Sequence, residues 1–420
     1  MKLPEALGAL RERNFARFFA GQAVSLLGDG MVPVALAFAV LELTDSPSAL
    51  GLVLAARVLP TVVLLLVGGV VADRVSRRQV MIAADIARML SQGTMGILLI
   101  VGTAEVWMLA VLAAAGGAAT AFFEPASTGL VPMTVSVARL QQANALQGIA
   151  RAAGSIAGPA IAGVLVATAG PGVALAVDGG TFAVSAVFLL ALHVRTTAAA
   201  AHTRFVGELR EGWREFRARD WVWGIVLVAA LANMLTAGYR VLGPLISEQD
   251  LGGVAAWATI TTAFGVGSFL GGILILRRRV ARPLVVAVGV GAVWVVPWFL
   301  LAIPAPTAVI AAGALLGGVG LMVFNTLWQA SIQEHIPRRS LSRVSAYDWL
   351  GSLALDPVGV ALIGPIAVAL GTQSTLLACA VLATALNLWA LTIPGVRNLR
   401  SRAAVDLETE VGIAGAAERR

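Results

Sequence analysis

The sequence predicts an all-α membrane protein, with twelve transmembrane helices arranged as two six-helix bundles. The first observation behind this is composition: 58% of the residues are hydrophobic and 13% charged, where a soluble domain carries roughly 45–50% and about 25%. The second is that apolar runs long enough to cross a bilayer core, roughly 20 residues each, recur along all 420 residues. The third is that the arginines cluster in every second gap between those runs. Arg74, Arg77 and Arg78, then Arg139, then Arg195 to Arg219, then Arg277 to Arg282, then Arg338 to Arg343 mark the basic gaps. The gaps between them hold Glu42 and Asp45, Glu105, or Glu248 and Asp250. That alternation is the signature of the positive-inside rule. It places both termini and every basic loop in the cytoplasm of a cell whose inner (plasma) membrane the chain crosses.

The spans centre near Val34, Val62, Leu90, Ala118, Gly154, Ala183, Ala232, Gly265, Gly291, Leu315, Leu355 and Val381. The mixed, charged start (Glu5, Arg11, Glu12, Arg13) leads straight into the first of them and does not read as a cleavable signal peptide. Between Leu192 and Asp220 the chain turns polar, and Phe205, Leu209, Trp213 and Phe216 recur there at helical spacing. This suits an amphipathic linker helix on the membrane surface. The expected domains are therefore a bundle over 1–192, a linker over 193–220, a second bundle over 221–394 and a mobile cytoplasmic tail over 395–420.

The halves echo each other. Gly68-Gly69 before the first basic loop has its counterpart in Gly271-Gly272 before Arg277, and Phe122 to Pro132 has its counterpart in Val323 to Pro337. A six-plus-six repeat about the membrane normal is the plan of a rocker-type secondary transporter.

Composition and spacing also remove several function classes. The net charge of +7 is explained by topology, so no nucleic-acid partner is expected. Cys379 is the lone cysteine, and His193, His202 and His335 lack second ligands at metal spacing. No metal and no cofactor is expected. Gly265-Val266-Gly267 lies inside a span without a P-loop lysine, which argues against ATP as the energy source. With no catalytic constellation either, the chain does not read as an enzyme.

Three sets of residues carry the chemistry. The second span closes on Gly69-Val70-Val71-Ala72-Asp73-Arg74-Val75-Ser76-Arg77-Arg78. A glycine there allows close helix approach, and the arginines can pair with carboxylates in a latch that must break when the bundles rock. The fifth span carries Gly154, Gly158, Pro159 and Gly163. Small residues four apart make a flat packing face, and the proline adds a kink.

The third set is the ionisable residues inside spans, each costing a few kcal/mol unless paired or hydrated. Asp29, Asp85, Arg88, Glu124 and Asp178 lie in the first half, with Arg57 and Arg151; Asp356, with Arg240 and Asp348, lies in the second. Asp85 and Arg88 are three apart and suit an internal ion pair. Asp29, between two glycines, has no obvious local partner, and Glu124 sits within reach of Arg74 or Arg77. Buried carboxylates of this kind are what a proton carrier requires; Asp29 alternatively caps amides freed by a helix break.

The loop pattern Gly69, Asp73, Arg74, Arg77, Arg78 resembles that of the major facilitator superfamily, and the fifth-span motif resembles that of its antiporters. Leu10 to Phe15, Gly28-Asp29-Gly30, Ala84 to Arg88, Phe122 to Ala126, Gln142 to Ala145 and Val177 to Phe182 are similar to the twelve-span exporter branch that includes macrolide-efflux pumps and the enterobactin exporter. The resemblance implies the major facilitator fold and a latch whose acid meets the start of the eleventh span, about Leu341 to Ser345, in the outward-facing state. It further implies proton-coupled efflux of amphipathic small molecules by alternating access, with the bilayer, protons and a small-molecule substrate as partners and a monomer as the working unit. The alternatives are a dedicated exporter of a siderophore or self-made antibiotic, or an uptake symporter.

Of the tryptophans, Trp107, Trp221, Trp223 and Trp257 fall near span ends, as an interfacial belt places them. Trp294, Trp298, Trp328 and Trp349 lie deeper, as the wall of an apolar cavity or as packing residues.

Overall fold

The computed structural model describes residues 8–136, 139–193, 213–276, 280–303 and 305–401. Among these residues the chain is helical with no strand, and it forms twelve spans long and apolar enough to cross a membrane. It is a multi-pass membrane protein. The helices are α1 (Arg13–Leu43), α2 (Pro47–Arg74), α3 (Arg77–Val101), α4 (Val106–Thr134), α5 (Leu140–Ala169), α6 (Pro171–Leu190), α7 (Asp220–Asp250) and α8 (Val254–Leu276). They continue with α9 (Pro283–Gly291), α10 (Val296–Ala302), α11 (Thr307–His335), α12 (Arg338–Leu353), α13 (Asp356–Leu370), α14 (Thr372–Ala390) and α15 (Pro394–Asn398). A 3₁₀ turn at Ala292–Val295 joins α9 and α10 into the single span Pro283–Ala302.

The chain's own punctuation sets these boundaries. Ser46 accepts a hydrogen bond from the Ala49 amide at 3.3 Å, and Pro47 opens α2. Gly102 ends α3 at φ 77° and Gly170 separates α5 from α6 at φ 84°, both in the left-handed region that favours glycine. Leu355 does not sit mid-helix as its place at a span centre suggests. The helix breaks at Ala354 and Leu355 and restarts at Asp356-Pro357, because proline donates no backbone N–H and fits the first turn of a new helix. Large apolar side chains such as Leu59, Ile100, Val111, Val187 and Val368 stand more than half exposed, on helices whose backbone groups are satisfied internally, as a lipid-facing surface requires.

Two compact units emerge. The first is drawn from Met1–Ala201, Ala237–Thr262 and Pro357–Thr375, the second from His202–Thr236, Ala263–Asp356 and Leu376–Arg420. The first unit gathers parts of α7, α8 and α13 because small residues let their backbones approach α2 and α5. A Cβ on Gly51 would meet the Val360 carbonyl, one on Gly364 the Pro47 backbone, and one on Gly163 the Ala258 side chain. The Gln373 side-chain amide also donates to Asp250 at 3.3 Å.

At the start of α1, Glu12 accepts from the Ser136 amide at 3.0 Å and hydroxyl at 2.6 Å, with the Arg139 guanidinium at 3.4 Å. The Ser136 hydroxyl bond, aided by the Ser136 amide and Arg139, holds the Glu12 carboxyl below the usual carboxylate range.

In the second unit the segment after Pro394 is packed rather than free as far as Ser401. The Gly395 amide donates to Asp220 at 3.0 Å, Val396 is fully buried, and the Ser401 amide donates to the Ala281 carbonyl at 3.0 Å. Sequence reasoning saw a short polar end and missed the buried valine that anchors it; residues 402–420 lie outside those described. Of the linker residues, Phe205 and Leu209 lie outside the described range, whereas Trp213 and Phe216 stack at 5.5 Å and both meet Tyr347. Trp107 and Trp223 are exposed, but Trp221 and Trp257 are core residues: Trp221 meets Trp328 edge-on at 5.7 Å, and Trp257 packs on Tyr239 at 5.1 Å. Proximity to a helix end did not reveal which face each indole occupies.

Candidate functional site

In the first unit, four helices converge on the guanidinium of Arg88. From α3 it reaches Asp85 at 2.5 Å, one turn away on its own helix, and Asp29 on α1 at 3.6 Å. Phe123 on α4 and Phe182 on α6 flank it, with ring centroids 4.0 Å and 4.2 Å from the guanidinium carbon. A desolvated cation between aromatic faces gains about 2 kcal/mol from each favourable contact. Arg88 and Asp85 are almost wholly buried, at 4% and 0% side-chain exposure. Asp178 on α6 is fully buried, and Thr181, one turn on, donates to its main-chain carbonyl at 2.7 Å and approaches its carboxylate at 3.5 Å.

These charges form one electrostatic group. Asp178 feels Asp29, Arg57 and Arg88; Glu124, whose side chain is exposed, feels Asp29, Arg88 and Arg151. The group therefore holds four carboxyls (Asp29, Asp85, Glu124, Asp178) and three guanidiniums (Arg57, Arg88, Arg151). The void beside it, bordered by Asp29, Arg57, Arg88, Ser91, Gln92 and Thr120, measures about 10 Å³, room for a single water. The void is too small to hold an organic molecule.

Close packing builds this group. A Cβ on Gly28 would strike the Asp178 carboxylate, and one on Gly30 would strike the Gly154 carbonyl. Gly158 faces the Gly30 backbone and Gly154 the Leu26 carbonyl, while Pro159 is buried beside them. The fifth-span motif thus presses α5 onto α1 at the level of Asp29.

Of the loop motif, Gly69 has open space where a Cβ would stand, and the close approach falls one residue earlier, at Gly68 against the Ala121 carbonyl. Arg77 donates to the Gly129 carbonyl at 2.7 Å, and Arg78 to the carbonyls of Leu189 and Leu190 at 2.8 Å and 2.6 Å. Both tie the start of α3 to the ends of neighbouring helices. Arg74 is exposed; the side chains of Asp73, Arg338, Arg339 and Arg343 lie outside the described residues. Asp356 is buried in the first turn of α13, away from the α1–α6 group in sequence and in the other compact unit.

The second unit holds a different kind of site, a cavity of about 200 Å³. Trp294, Phe324, Trp328 and Trp349 supply aromatic wall, and Asn233, Asn325, Gln329, Asp348, Ser352 and Asn387 supply polar groups. The Trp328 indole N–H donates to both oxygens of Asp348, at 3.1 Å and 3.3 Å. Trp298 is not in that wall; it is buried edge-on against Trp294 at 4.7 Å. The volume lies below the roughly 300–1,000 Å³ of a whole-ligand pocket.

Sequence reasoning named Asp29, Asp85, Arg88, Glu124 and Asp178 one at a time, and the fold brings them together. It missed Phe123 and Phe182 as the walls around Arg88. A signal existed for one, since Asp178 and Phe182 are four apart and share a helix face. It also gave no role to Asp348, which shares the cavity with three of the deep tryptophans.

The Major Facilitator Superfamily model matches residues 18–354. The chain belongs to the major facilitator superfamily. Over 391 residues this transporter is 26% identical to the multidrug efflux pump Tap of Mycolicibacterium fortuitum, spanning 89% of this chain and 93% of that protein. It is also 26% identical over 266 residues to macrolide efflux protein A of Streptococcus pyogenes, covering 62% of this chain and 66% of the relative. Among solved structures it resembles the nucleoside transporter NupG, with a TM-score of 0.71 at 14% identity over 91% of this chain and 99% of that one. It also resembles a bacterial homologue of the human lysosomal transporter Spinster in an inward-facing, unoccupied conformation, with a TM-score of 0.70 at 14% identity over 93% and 98%. At those identities the two structures establish the fold.

Proposed function

We propose that this transporter exports amphipathic small molecules in exchange for protons, by alternating access. Efflux is supported by the relatives, one of which is matched over nearly its full length. Proton exchange rests on one observation above all. The largely buried part of the group around Arg88 sets three carboxyls (Asp29, Asp85, Asp178) against two guanidiniums (Arg57, Arg88), so when fully ionised it is left with one uncompensated negative charge. Burying that charge costs several kcal/mol, and binding one proton removes the cost. Asp85 is held by Arg88, which leaves Asp29 and Asp178, with Glu124 at the exposed edge of the group, to share the proton. Asp178 is the innermost of them, and one of its oxygens has no hydrogen-bond partner among the described residues.

The moving bodies are the two sequence halves, 1–192 and 221–394, joined by the 193–220 linker and followed by a 395–420 tail. With the arginine-rich loops and both termini on the cytoplasmic side of the plasma membrane, the contacts at Gly51, Gly163 and Gly364 close the outer face. They must part for release. The loop of Gly69, Asp73, Arg74, Arg77 and Arg78 acts as a cytoplasmic latch in the opposite state, and the monomer suffices. The membrane potential contributes about 2.3 kcal/mol per charge per 100 mV.

The test is transport in proteoliposomes with an imposed pH gradient and a panel of macrolides, dyes and siderophores. Gradient-dependent accumulation of several chemotypes is expected. Movement of a single compound class would mark a dedicated exporter, and equal rates without the gradient would remove proton coupling.

A further inference from the structure

The cavity in the second unit has a chemistry of its own. Asp348 lies 5% exposed in its wall, and the hydrogen bonds its oxygens receive come from the Trp328 indole N–H and, at 3.4 Å, the Ser352 hydroxyl. Both donors are neutral. Each further element lining the cavity faces it with uncharged groups: α7 with Asn233, α9 and the following turn with Trp294, α11 with Asn325 and Gln329, and α14 with Asn387. Among the described lining residues Asp348 is therefore the one charge, and no cation compensates it. This is the reverse of the Arg88 group, where every carboxyl shares the field of a guanidinium.

Two of the wall amides each have one N–H already engaged. Asn233 spends an amide hydrogen on the Ser352 carbonyl and Asn387 one on the Ala383 carbonyl, both at 2.9 Å. The indoles of Trp294, Trp328 and Trp349 complete the environment, since aromatic faces attract cations. A neutral ligand leaves the carboxylate uncompensated, and an anion is repelled by it.

We propose that Asp348 and the tryptophans around it form a subsite for the cationic head of an aromatic organic cation. The proposal deepens the efflux reading and rests on it for the statement that this ligand is a transport substrate. The approach of a quaternary or protonated amine supplies the counter-charge that Asp348 lacks, while the indoles hold the aryl group. The volume of about 200 Å³ suits a single ring with its ammonium group and excludes a complete macrolide.

Phenyltrimethylammonium and its uncharged isostere tert-butylbenzene differ by one atom and one charge. Equilibrium dialysis of both against the full chain in lipid nanodiscs, with empty nanodiscs subtracted, reads the subsite without requiring transport. The cation is expected to bind, and Asp348→Asn to weaken it at least about tenfold, the loss of one charge-assisted contact. Asp348→Glu should keep the cation within about threefold, and Trp294→Leu should weaken it about threefold. The isostere should change less than about twofold in both Asp348 variants, and Trp294→Leu should weaken the cation more than the isostere. Should Asp348→Asn not fold, Trp294→Leu and Asp348→Glu carry the same comparison. Cation binding indifferent to Asp348→Asn, or a parallel loss of both ligands, overturns the subsite. Cation binding that persists without gradient-driven transport would instead sink the efflux reading and leave the subsite standing.

Discussion

The two units bury charge in opposite ways. Around Arg88 the first unit packs a guanidinium between two phenyl rings and against Asp85 and Asp29, with Asp178 buried nearby and space for one water. Around Asp348 the second unit leaves one carboxylate, two neutral donors and about 200 Å³ of tryptophan-walled space. The first arrangement suits a charge that must be exchanged for something as small as a proton. The second has room for an organic molecule. In the proposed exchange, a proton bound in one unit and a substrate bound in the other would bias a single conformational equilibrium, provided each binds one state better than the other.

The largest break in that comparison should come from Arg88→Met. It strips the counter-ion from Asp85 and Asp29 while keeping side-chain bulk. A destabilisation of about 3–5 kcal/mol is expected, read as a fall in the thermal unfolding midpoint of the purified protein. By contrast, Asp348→Asn removes a carboxylate whose partners are neutral donors that an amide oxygen can still satisfy. Its effect on the same midpoint should stay within about 1 kcal/mol, and a cost equal to that of Arg88→Met would erase the distinction drawn between the units.

Next comes Gly158→Val. The added side chain meets the Gly30 backbone, and backbone cannot yield as a flexible side chain does, so overpacking of about 1–3 kcal/mol is expected. Transport should suffer more than stability, because Asp29 is displaced with α1. Wild-type transport in this variant would make the fifth-span motif simple packing.

The smallest effect concerns Glu12 at the start of α1. Its carboxyl is held below its ordinary range, so its contribution is complete above the unfolded value and is lost as the pH falls through the lowered folded value. Glu12→Gln should remove that acid-side dependence. The loss should be no more than about 1 kcal/mol, because the pair is partly exposed, and it can be read from unfolding midpoints between neutral and acidic pH.

How much of this was legible in the sequence differs by level. Span number and helical content follow from hydropathy, because a helix in lipid must satisfy its own backbone, so twelve apolar runs leave little choice. The Asp85–Arg88 pair was equally readable from three-residue spacing. The partner of Asp29 was not, since Arg88 lies on another helix and no periodicity links α1 to α3. Gly154 and Gly158 stand out as small residues, but nothing in one sequence says that Gly30 lies opposite. Trp221 and Trp257 mislead for the same reason: a place near a helix end says nothing about which face is buried. The role of Asp348 required the cavity, which is a property of five separated segments.

The most direct test of the central claim reverses the coupling. Proteoliposomes holding a pH-sensitive dye are prepared with equal pH on both sides, the membrane potential is clamped, and a transported cation is imposed as the only gradient. Exchange predicts a proton flux opposite to the substrate flux, abolished by a protonophore and lost when Asp29, Glu124 and Asp178 are neutralised together. Substrate movement with no change in internal pH would contradict it.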